Sequence, residues 1–319
     1  MVSDKGRGMA QIALASLFWG ASFPIIKYGM MVGVDTSWLV MLRFAVAAVL
    51  CCILLLRYGG LAMLGRSLFN RYFWLLGFFN GLAFVFQYHG LLYTTASKAS
   101  LLINTNVIFV ALFGVILFKE RLSQRIVASI ILALVGVFLL ATEGDVRVLL
   151  RGEIIGDALE VMAALTWAFY ILENKRLMDK GADALELTGG MMLGTLVFSA
   201  PYAIYRIHGG ANLGVGQGMS ILLPLGFVVL YTAIGGSIAA YFLYAKGVKH
   251  VSAVVSSVFL MFEMVAAVAI SFVFLGERLG PIGFLGAVAV CFGIMIASSG
   301  EIKRRRKNGS LGVDHAYGG

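Results

Sequence analysis

The sequence contains few charged residues. Asp, Glu, Lys and Arg make up only 13% of its 319 residues, whereas they make up about a quarter of a typical soluble domain. Hydrophobic residues make up 60% of the chain, and the mean hydropathy is +0.93. This composition excludes an ordinary soluble protein and predicts an all-α integral membrane protein, because a helix satisfies its own backbone hydrogen bonds in lipid.

The sequence also lacks the motifs of metal sites and of common catalytic sites. Its three cysteines, Cys51, Cys52 and Cys291, lie in apolar runs without metal-ligand spacing. It has no HExxH motif, no paired central carboxylates and no Ser/His nucleophile arrangement, so we expect no enzyme activity and no cofactor. The net charge of +9 does not indicate nucleic acid as a partner, because the basic residues flank apolar runs.

Apolar runs long enough to cross a bilayer occur ten times. A hydrocarbon core about 30 Å thick needs about 20 residues per helix. The first run is too long for a signal-peptide core, so we expect it to be retained as a helix. The predicted spans are residues 10–32, 37–57, 72–94, 96–118, 124–142, 156–178, 184–207, 220–246, 251–275 and 281–299.

Two long stretches of the sequence share one plan. Residues 90–142 align without gaps with residues 247–299, and each stretch carries a Glu-Arg-Leu triplet in a charged turn. In a second correspondence, Trp19 matches Trp167. We therefore predict two five-helix repeats. They comprise residues 1–142 and 156–299, joined by segment 143–155 and followed by a basic tail, 300–319.

The distribution of basic residues predicts the orientation of the chain. A cytoplasmic N-terminus leaves only seven of the 25 Lys and Arg residues outside or in outer helix halves, as the positive-inside rule requires. Both termini are then cytoplasmic in a cell (inner or plasma) membrane, and segment 143–155 is external. Because five is odd, the second repeat enters from the opposite side, so the repeats are inverted, as in many secondary transporters.

Several short motifs resemble one transporter family. Residues 18–24 read FWGASFP, Arg43-Phe44 lies in the second span, and the two Glu-Arg-Leu turns occupy matching places. Together they resemble the ten-helix EamA-type branch of the drug/metabolite transporter superfamily over residues 10–299. The resemblance implies export or exchange of small metabolites, commonly amino acids, through a central cavity. Family members often carry proline where this chain has Met264, so the usual cause of a helix break there is missing.

A lone carboxylate, Glu263, lies in the middle of the ninth predicted span, and Asn106 is its counterpart in the earlier copy. Polar groups inside a span tend to face the bundle interior or a cavity, because they are costly in lipid. No Lys or Arg lies at the depth of Glu263, and burial disfavours a charged carboxyl group. We therefore predict that Glu263 binds protons and substrate; the alternative is a protonated, purely structural residue.

Aromatic residues in the middle of other spans form a second candidate set. Trp19 and Trp167 lie away from the interfaces where membrane tryptophans usually collect. Tyr241 and Tyr244 share one side of the eighth span. These four side chains are predicted to contact an amphipathic substrate, with helix packing as the alternative. Glu160 shares the face of Trp167 on the sixth span.

Amide residues complete the predicted binding site. Asn80 and Gln87 form one stripe on the third span, while His89 points nearly opposite and is assigned to packing. Asn104 and Asn106 lie almost across the fourth span from each other. Spacing does not decide which of these two faces the transport path, so both stay candidates.

Three basic residues lie in predicted outer helix halves and are candidates for an outer vestibule. Lys27, Arg43 and Lys98 would draw a carboxylate or phosphate inward. The alternative for Lys27 and Lys98 is to reach lipid headgroups, and for Arg43 it is a structural hydrogen bond.

The sequence therefore predicts a secondary transporter that exports or exchanges small amphipathic metabolites by alternating access. Amino acids are the leading class, and transport is either proton-coupled or facilitative. One alternative is an uptake carrier for a vitamin, nucleobase or nucleotide-linked solute; a channel or an intramembrane enzyme ranks lower. Expected partners are the metabolite, the lipid bilayer and, if transport is coupled, protons. The oligomeric state stays open.

Overall fold

A computed structural model describes residues 3–118, 122–211 and 222–310. Within these ranges the regular structure is entirely helical, as predicted. A 3₁₀ segment (Val146–Leu150) lies between α6 and α7, and a π segment (Ile234–Ala239) joins α9 to α10. The α-helices are α1 (Asp4–Met31), α2 (Thr36–Leu68), α3 (Arg71–Gly90), α4 (Ala96–Asn104), α5 (Asn106–Phe118), α6 (Gln124–Thr142), α7 (Ile154–Asp179), α8 (Ala184–His208), α9 (Leu222–Ala233), α10 (Ala240–Val248), α11 (Ala253–Leu260), α12 (Phe262–Leu275) and α13 (Pro281–Ser310).

The described residues form a multi-pass membrane protein. Nine helical segments, counting α4–α5, α9–α10 and α11–α12 as one each, are long and apolar enough to cross a bilayer. The segment α3 is not among the nine, because polar residues such as Asn80, Gln87 and His89 lower its mean hydropathy. Large apolar side chains such as Ile154 and Leu223 are more than four-fifths exposed, as expected of a surface that faces lipid. The count of ten spans stays a prediction.

Short polar side chains fix where many helices begin. At each of these N-caps a hydroxyl, amide or carboxylate oxygen accepts a hydrogen bond from a backbone N–H two or three residues later, which satisfies a donor that the helix leaves free. The caps are Ser3, Asp35, Asn70, Thr95, Ser123, Asp183 and Ser252. The predicted starts agree with them to within a few residues, except for α1, which begins earlier.

Helix α2 continues beyond its predicted end at residue 57 and changes direction at Gly60. Gly60 has φ +64°, a conformation that glycine adopts at little cost. After the bend, the Arg66 guanidinium donates to Glu186 on α8 at 2.6 Å, and the Ser67 hydroxyl donates to the Glu186 carbonyl at 2.7 Å. The short extension therefore ties the first half of the chain to the second at this end.

Two helices break near their middle although neither contains proline at the break. Thr105 separates α4 from α5, and Met261 separates α11 from α12. Backbone N–H groups there bond to carbonyls three residues back, as from Thr105 to Leu102 and from Met261 to Val258. Ser252 caps α11, and Glu263 belongs to the separate helix α12.

Helices α6 and α13, which end the two predicted repeats, approach each other at glycine. A Cβ atom at Gly136 would lie 2.7 Å from the carbonyl oxygen of Gly286, and one at Gly286 would lie 2.6 Å from that of Gly136. Among the described residues, no other pair of helices packs more extensively. Backbone contact of this kind, through small residues, is a common basis of helix association in membranes.

We expect Gly136→Ala and Gly286→Ala to destabilise the protein by about 1–3 kcal/mol each, because the added methyl group must separate two backbones. Gly226→Ala is the matched control, since a Cβ at Gly226 in α9 meets nothing within 4 Å. Thermal unfolding of the purified proteins in lipid or detergent measures the difference. Equal Tm values for all three variants would contradict the close packing of α6 and α13.

A matching set of contacts occurs in the two halves of the chain. At one end of the bundle, α1 packs on the end of α10: Cβ atoms at Gly8 and Gly247 would lie 2.7 Å from His250 and 2.6 Å from Ile12. At the other end, α7 packs on the end of α3 in the same way. There, Cβ atoms at Gly156 and Gly90 would contact Tyr93 and Glu160. These contacts agree with a duplicated plan, and the inversion of the repeats stays a prediction.

We call the end of the bundle that holds segment 143–153 the connector end. Reporter fusions after His208, at the connector end, and after Gly319 are expected to report opposite compartments, with Gly319 cytoplasmic. The predicted bias of basic residues toward one side is the reason. A C-terminus on the outer side would contradict the inverted arrangement.

Two loop segments lie outside the described residues. They are the predicted Glu120-Arg121 turn and most of the Gly-rich loop 209–218 that follows α8.

Candidate functional site

Five aromatic side chains form a continuous chain between the two halves. The Trp19 ring meets the Tyr241 ring edge-on with centroids 4.9 Å apart, and Tyr241 meets Tyr170 at 5.8 Å. Tyr170 in turn contacts Trp167 at 5.5 Å and Tyr244 at 6.1 Å. We call these residues the aromatic chain. Edge-to-face geometry of this kind adds to the stability gained from burial alone.

The two predicted tryptophans occupy similar surroundings at the two ends of the aromatic chain. Trp19 packs against Tyr241, and Trp167 packs against Phe84 with centroids 5.4 Å apart. Both tryptophans are half-buried, whereas Tyr241 and Tyr244 are almost fully buried. The structure therefore brings together four of the residues that the sequence proposed for substrate contact.

Polar groups along the aromatic chain are paired with one another. The Tyr241 hydroxyl donates to the Asn80 amide oxygen at 2.7 Å, and the Asn80 amide nitrogen donates to the Thr195 hydroxyl at 2.9 Å. The hydroxyls of Tyr244 and Ser256 lie 3.2 Å apart. Since these groups are fully buried, each bond avoids the cost of an unpaired polar atom.

The π segment between α9 and α10 supplies carbonyl groups to this region. The extra residue in a π turn frees backbone groups from the regular ladder. The carbonyl of Gly236 accepts hydrogen bonds from the Trp19 indole at 2.9 Å and from the Arg43 guanidinium at 3.1 Å. Arg43 also donates to the Ser237 hydroxyl at 3.1 Å. Arg43 is therefore a buried structural donor in this conformation, the alternative that the sequence offered for it.

Glu263 lies in the first turn of α12, immediately after the break at Met261. Its side chain is half-buried and makes no ion pair or hydrogen bond within the part of the chain that the structure describes. It lies close enough to Tyr241 for an electrostatic interaction. A helix N-terminus carries partial positive charge, so the break provides a carboxylate with local stabilisation that no basic side chain supplies.

The break also brings α1 against this region. The Ser16 hydroxyl donates to the carbonyl of Phe259 at 3.2 Å, which lies one turn before Glu263. Close approach depends on Gly20, where a Cβ atom would lie 2.5 Å from the backbone oxygen of Glu263. Helix α1 thus supports both the break and the tryptophan Trp19 beside it.

The amide candidates differ in how they are used. Asn104 is buried, and its amide donates to the Ser100 carbonyl in its own helix at 2.8 Å. Asn106 is half-buried and is the first residue of α5, as Glu263 is near the start of α12. Gln87 is half-buried on α3. Of the two candidates in the fourth span, Asn106 is the one whose amide is not engaged by its own helix.

The two lysines proposed for a vestibule both form ion pairs between the halves. The Lys98 ammonium is buried, lies 2.6 Å from Asp157, and donates to the Arg151 carbonyl at 3.0 Å. The alternative interpretation, that Lys98 reaches lipid headgroups, is therefore wrong. Lys27 pairs with Glu277 near the surface, so the second Glu-Arg-Leu turn tethers α12 to α1.

Tyr170 is a central residue that the sequence analysis missed. It touches three members of the aromatic chain, and its hydroxyl accepts a hydrogen bond from Asn174 at 2.9 Å. The signal was present, because residues 167, 170 and 174 follow helical spacing on one face. His89, assigned to packing, lies between the rings of Tyr93 and Tyr202.

This arrangement offers aromatic faces, hydroxyl groups and amide groups, which are the groups that line sites for organic ligands. No group of three His, Cys, Asp or Glu side chains within the described residues is placed to hold a metal. The helices of the bundle are apolar, and some of them break within the membrane beside a central group of aromatic and amide residues. This combination is typical of a class of membrane transport proteins.

Comparison with known proteins gives the family. A sequence model of the EamA-like transporter family matches residues 6–142 and again residues 154–299. The chain therefore belongs to the EamA-like transporter family, within the drug/metabolite transporter superfamily. The protein is a transporter, and its partners are a small-molecule substrate and the membrane.

Relatives in two organisms and one crystal structure agree with this membership. An uncharacterized transporter of Archaeoglobus fulgidus is 26% identical over 90% of this chain and 96% of its own. The transporter YyaM of Bacillus subtilis is 27% identical over 89% and 90% of the two chains. A crystal structure with a TM-score of 0.74 covers 93% of this chain and 98% of its own; at 18% identity it supports the fold alone.

Proposed function

We propose that the protein exports or exchanges small amphipathic metabolites, with amino acids as the substrate class, by alternating access. The aromatic chain carries this proposal. Its rings come from both halves of the chain, so a rocking motion of one half against the other would rearrange the site. Its apolar faces suit a hydrophobic side chain, and its paired hydroxyl and amide groups suit a polar head.

The two broken helices provide groups that complement a zwitterion. Helices α5 and α12 begin within the span, and helix N-termini favour a carboxylate through their partial positive charge. Glu263, at the start of α12, offers a carboxylate to an ammonium group or to a proton. Asn106 offers an amide at the corresponding place in α5. We propose Trp19, Asn80, Gln87, Asn106, Trp167, Tyr241, Tyr244 and Glu263 as the substrate-binding residues, and Asn104 as a residue that supports them.

Helix breaks and the π segment supply the flexible points of the cycle, while α6 and α13 supply a fixed contact. In this scheme the Lys98–Asp157 and Lys27–Glu277 pairs hold the connector end closed. We place the protein in the plasma membrane with both termini cytoplasmic and the connector end outside. Arg43 keeps the π segment in place in the closed conformation and returns to a vestibule role when the outer end opens.

Tracer counterflow in liposomes tests the substrate class. Purified protein is reconstituted in liposomes that are loaded in turn with each unlabelled compound of a panel of amino acids, nucleobases and vitamins, and entry of the same compound in labelled form is followed. We expect saturable counterflow with hydrophobic or aromatic amino acids. Counterflow only with a nucleobase or vitamin would overturn the amino acid proposal in favour of that class, and saturation-free flux would indicate a channel.

A further inference from the structure

Helix α7 carries a fully buried carboxylate that has no structural partner. Glu160 is 0% exposed, and neither of its carboxylate oxygens makes a hydrogen bond to a described residue. The notch that holds it is formed by Gly90 at the end of α3, where a Cβ atom would lie 2.8 Å from Oε1 of Glu160. At the matching contact in the first half, Ile12 fills the notch at Gly247. This packing therefore does not require a carboxyl group.

The groups around Glu160 do not favour its charged form. Asp157, one turn earlier on α7, is the nearest anion and already pairs with Lys98 on α4. Lys98 also donates to the Arg151 carbonyl, and the Thr94 hydroxyl donates to Asp157 at 3.2 Å. Lys98, the cation that pairs with Asp157, is thus engaged by groups other than Glu160.

Two further titratable groups near this end of the bundle, His89 and Asp145, have partners of their own. At the end of α3, His89 packs against the rings of Tyr93 and Tyr202. In the connector, a hydrogen bond from Arg147 lowers the pKa of the Asp145 carboxyl, so Asp145 stays ionised near neutral pH. An unpaired buried charge is far more costly than an unpaired neutral group, so Glu160 fits this arrangement only with a proton bound.

We propose that Glu160 is a proton-binding site that closes the connector end of the transporter. It holds a proton while α7 packs on Gly90 and Tyr93, and it releases that proton to water when α7 separates from α3. Separation would break the bond from the Glu153 amide to the Tyr93 carbonyl, now 2.8 Å long, and admit water to Glu160. The inference relies on the alternating access proposed above but not on Glu263.

The direction of the pH effect follows from linkage. The closed arrangement binds the proton more tightly than the open one, because only the open one solvates the carboxylate. Raising the pH therefore favours opening and lowering it favours closure. A single proton changes the ratio of the two states by at most about tenfold per pH unit.

Cysteine labelling in lipid nanodiscs tests the proposal. Thr94→Cys, which lies against Gly156 of α7, is placed in a background with Cys51, Cys52 and Cys291 changed to alanine, with and without Glu160→Gln. The labelling rate of a polar maleimide is compared between these two proteins at one pH, so that the reactivity of the thiol cancels. Leu150→Cys, 85% exposed on the connector, is the control and should label equally in both.

We expect the rate ratio of Glu160→Gln to its parent to be near one at about pH 6 and several-fold below one at about pH 8.5, since only the parent opens on losing a proton. Glu160→Ile, which copies Ile12, should behave like Glu160→Gln. A ratio that does not change with pH would overturn the proposal. A ratio above one would also overturn it, because it would mean that the substitution merely loosens packing.

Infrared spectroscopy supplies a direct second readout. At about pH 6 the parent should show a protonated-carboxyl C=O band that Glu160→Gln lacks and that weakens as the pH rises. Absence of such a band would contradict the assignment. Adding Glu263→Gln to the Thr94→Cys protein should leave its pH-dependent labelling unchanged. The labelling experiment therefore tests the Glu160 site separately from the proposed proton coupling at Glu263.

Discussion

Glu263→Gln is expected to reduce flux driven by a pH gradient to the level of protein-free liposomes while substrate counterflow continues. Glutamine keeps the shape of a protonated glutamate but cannot release a proton. Glu263 is half-buried at the start of α12 and has no ion-pair partner among the described residues. In the proposed mechanism, the protonation of Glu263 depends on which side of the membrane has access to it, and this dependence would couple a proton to transport.

The control for this experiment is Glu173→Gln. Glu173 pairs with Arg176 in its own helix, α7, and has no part in the proposed site or in closure, so this variant should keep pH-driven flux. Wild-type flux that ignores a pH gradient would remove Glu263 from the coupling mechanism. Full pH-driven flux in Glu263→Gln would do the same and leave Glu263 as a substrate-binding or structural group.

Trp19→Ala and Tyr241→Ala are each expected to weaken apparent substrate affinity by about tenfold or more, measured as transport per folded molecule. Each change removes an aromatic face from the proposed site together with an edge-to-face contact worth about 0.5–1.5 kcal/mol. Tyr241→Phe separates the two effects. It keeps the ring but loses the hydrogen bond to Asn80, so a several-fold loss is expected, in line with about 1 kcal/mol for such a bond.

Trp74→Ala is the matched control for the loss of a tryptophan. Its indole donates to the Leu68 carbonyl at 2.6 Å, outside the aromatic chain. Protein abundance and monodispersity are measured alongside transport for all four variants. Unchanged affinity in both Trp19→Ala and Tyr241→Ala would assign these rings to helix packing, the alternative that the sequence left open.

The helical membrane fold was predictable because lipid imposes it on the sequence. Each span must supply about 20 apolar residues and its own backbone bonds, and both requirements are visible without a structure. Segment α3 shows the limit of this signal, since its polar residues Asn80, Gln87 and His89 lower its mean hydropathy below that of the other spans. Composition and length also do not reveal the direction change at Gly60, because it depends on the conformation of one residue.

The candidate site was predictable only in part. Helical spacing identified Trp19, Trp167 and Tyr241, which the structure brings into one aromatic chain. It did not predict the breaks at Thr105 and Met261, because the usual signal, proline, is missing. Those breaks are accommodated by bonds to carbonyls three residues back and, at Phe259, by a hydroxyl from α1.

The sequence by itself identified a membrane transporter, predicted that it is duplicated, and placed Glu263 and Asn106 at matching positions of the two predicted repeats. Only the tertiary structure decided what each polar group does. Arg43 donates to a carbonyl of the π segment, Lys98 pairs with Asp157 across the two halves, and Glu160 has no hydrogen-bond partner among the described residues. The physical reason is that a buried polar side chain is satisfied or left unpaired by atoms distant in sequence, and periodicity along one helix carries no information about them.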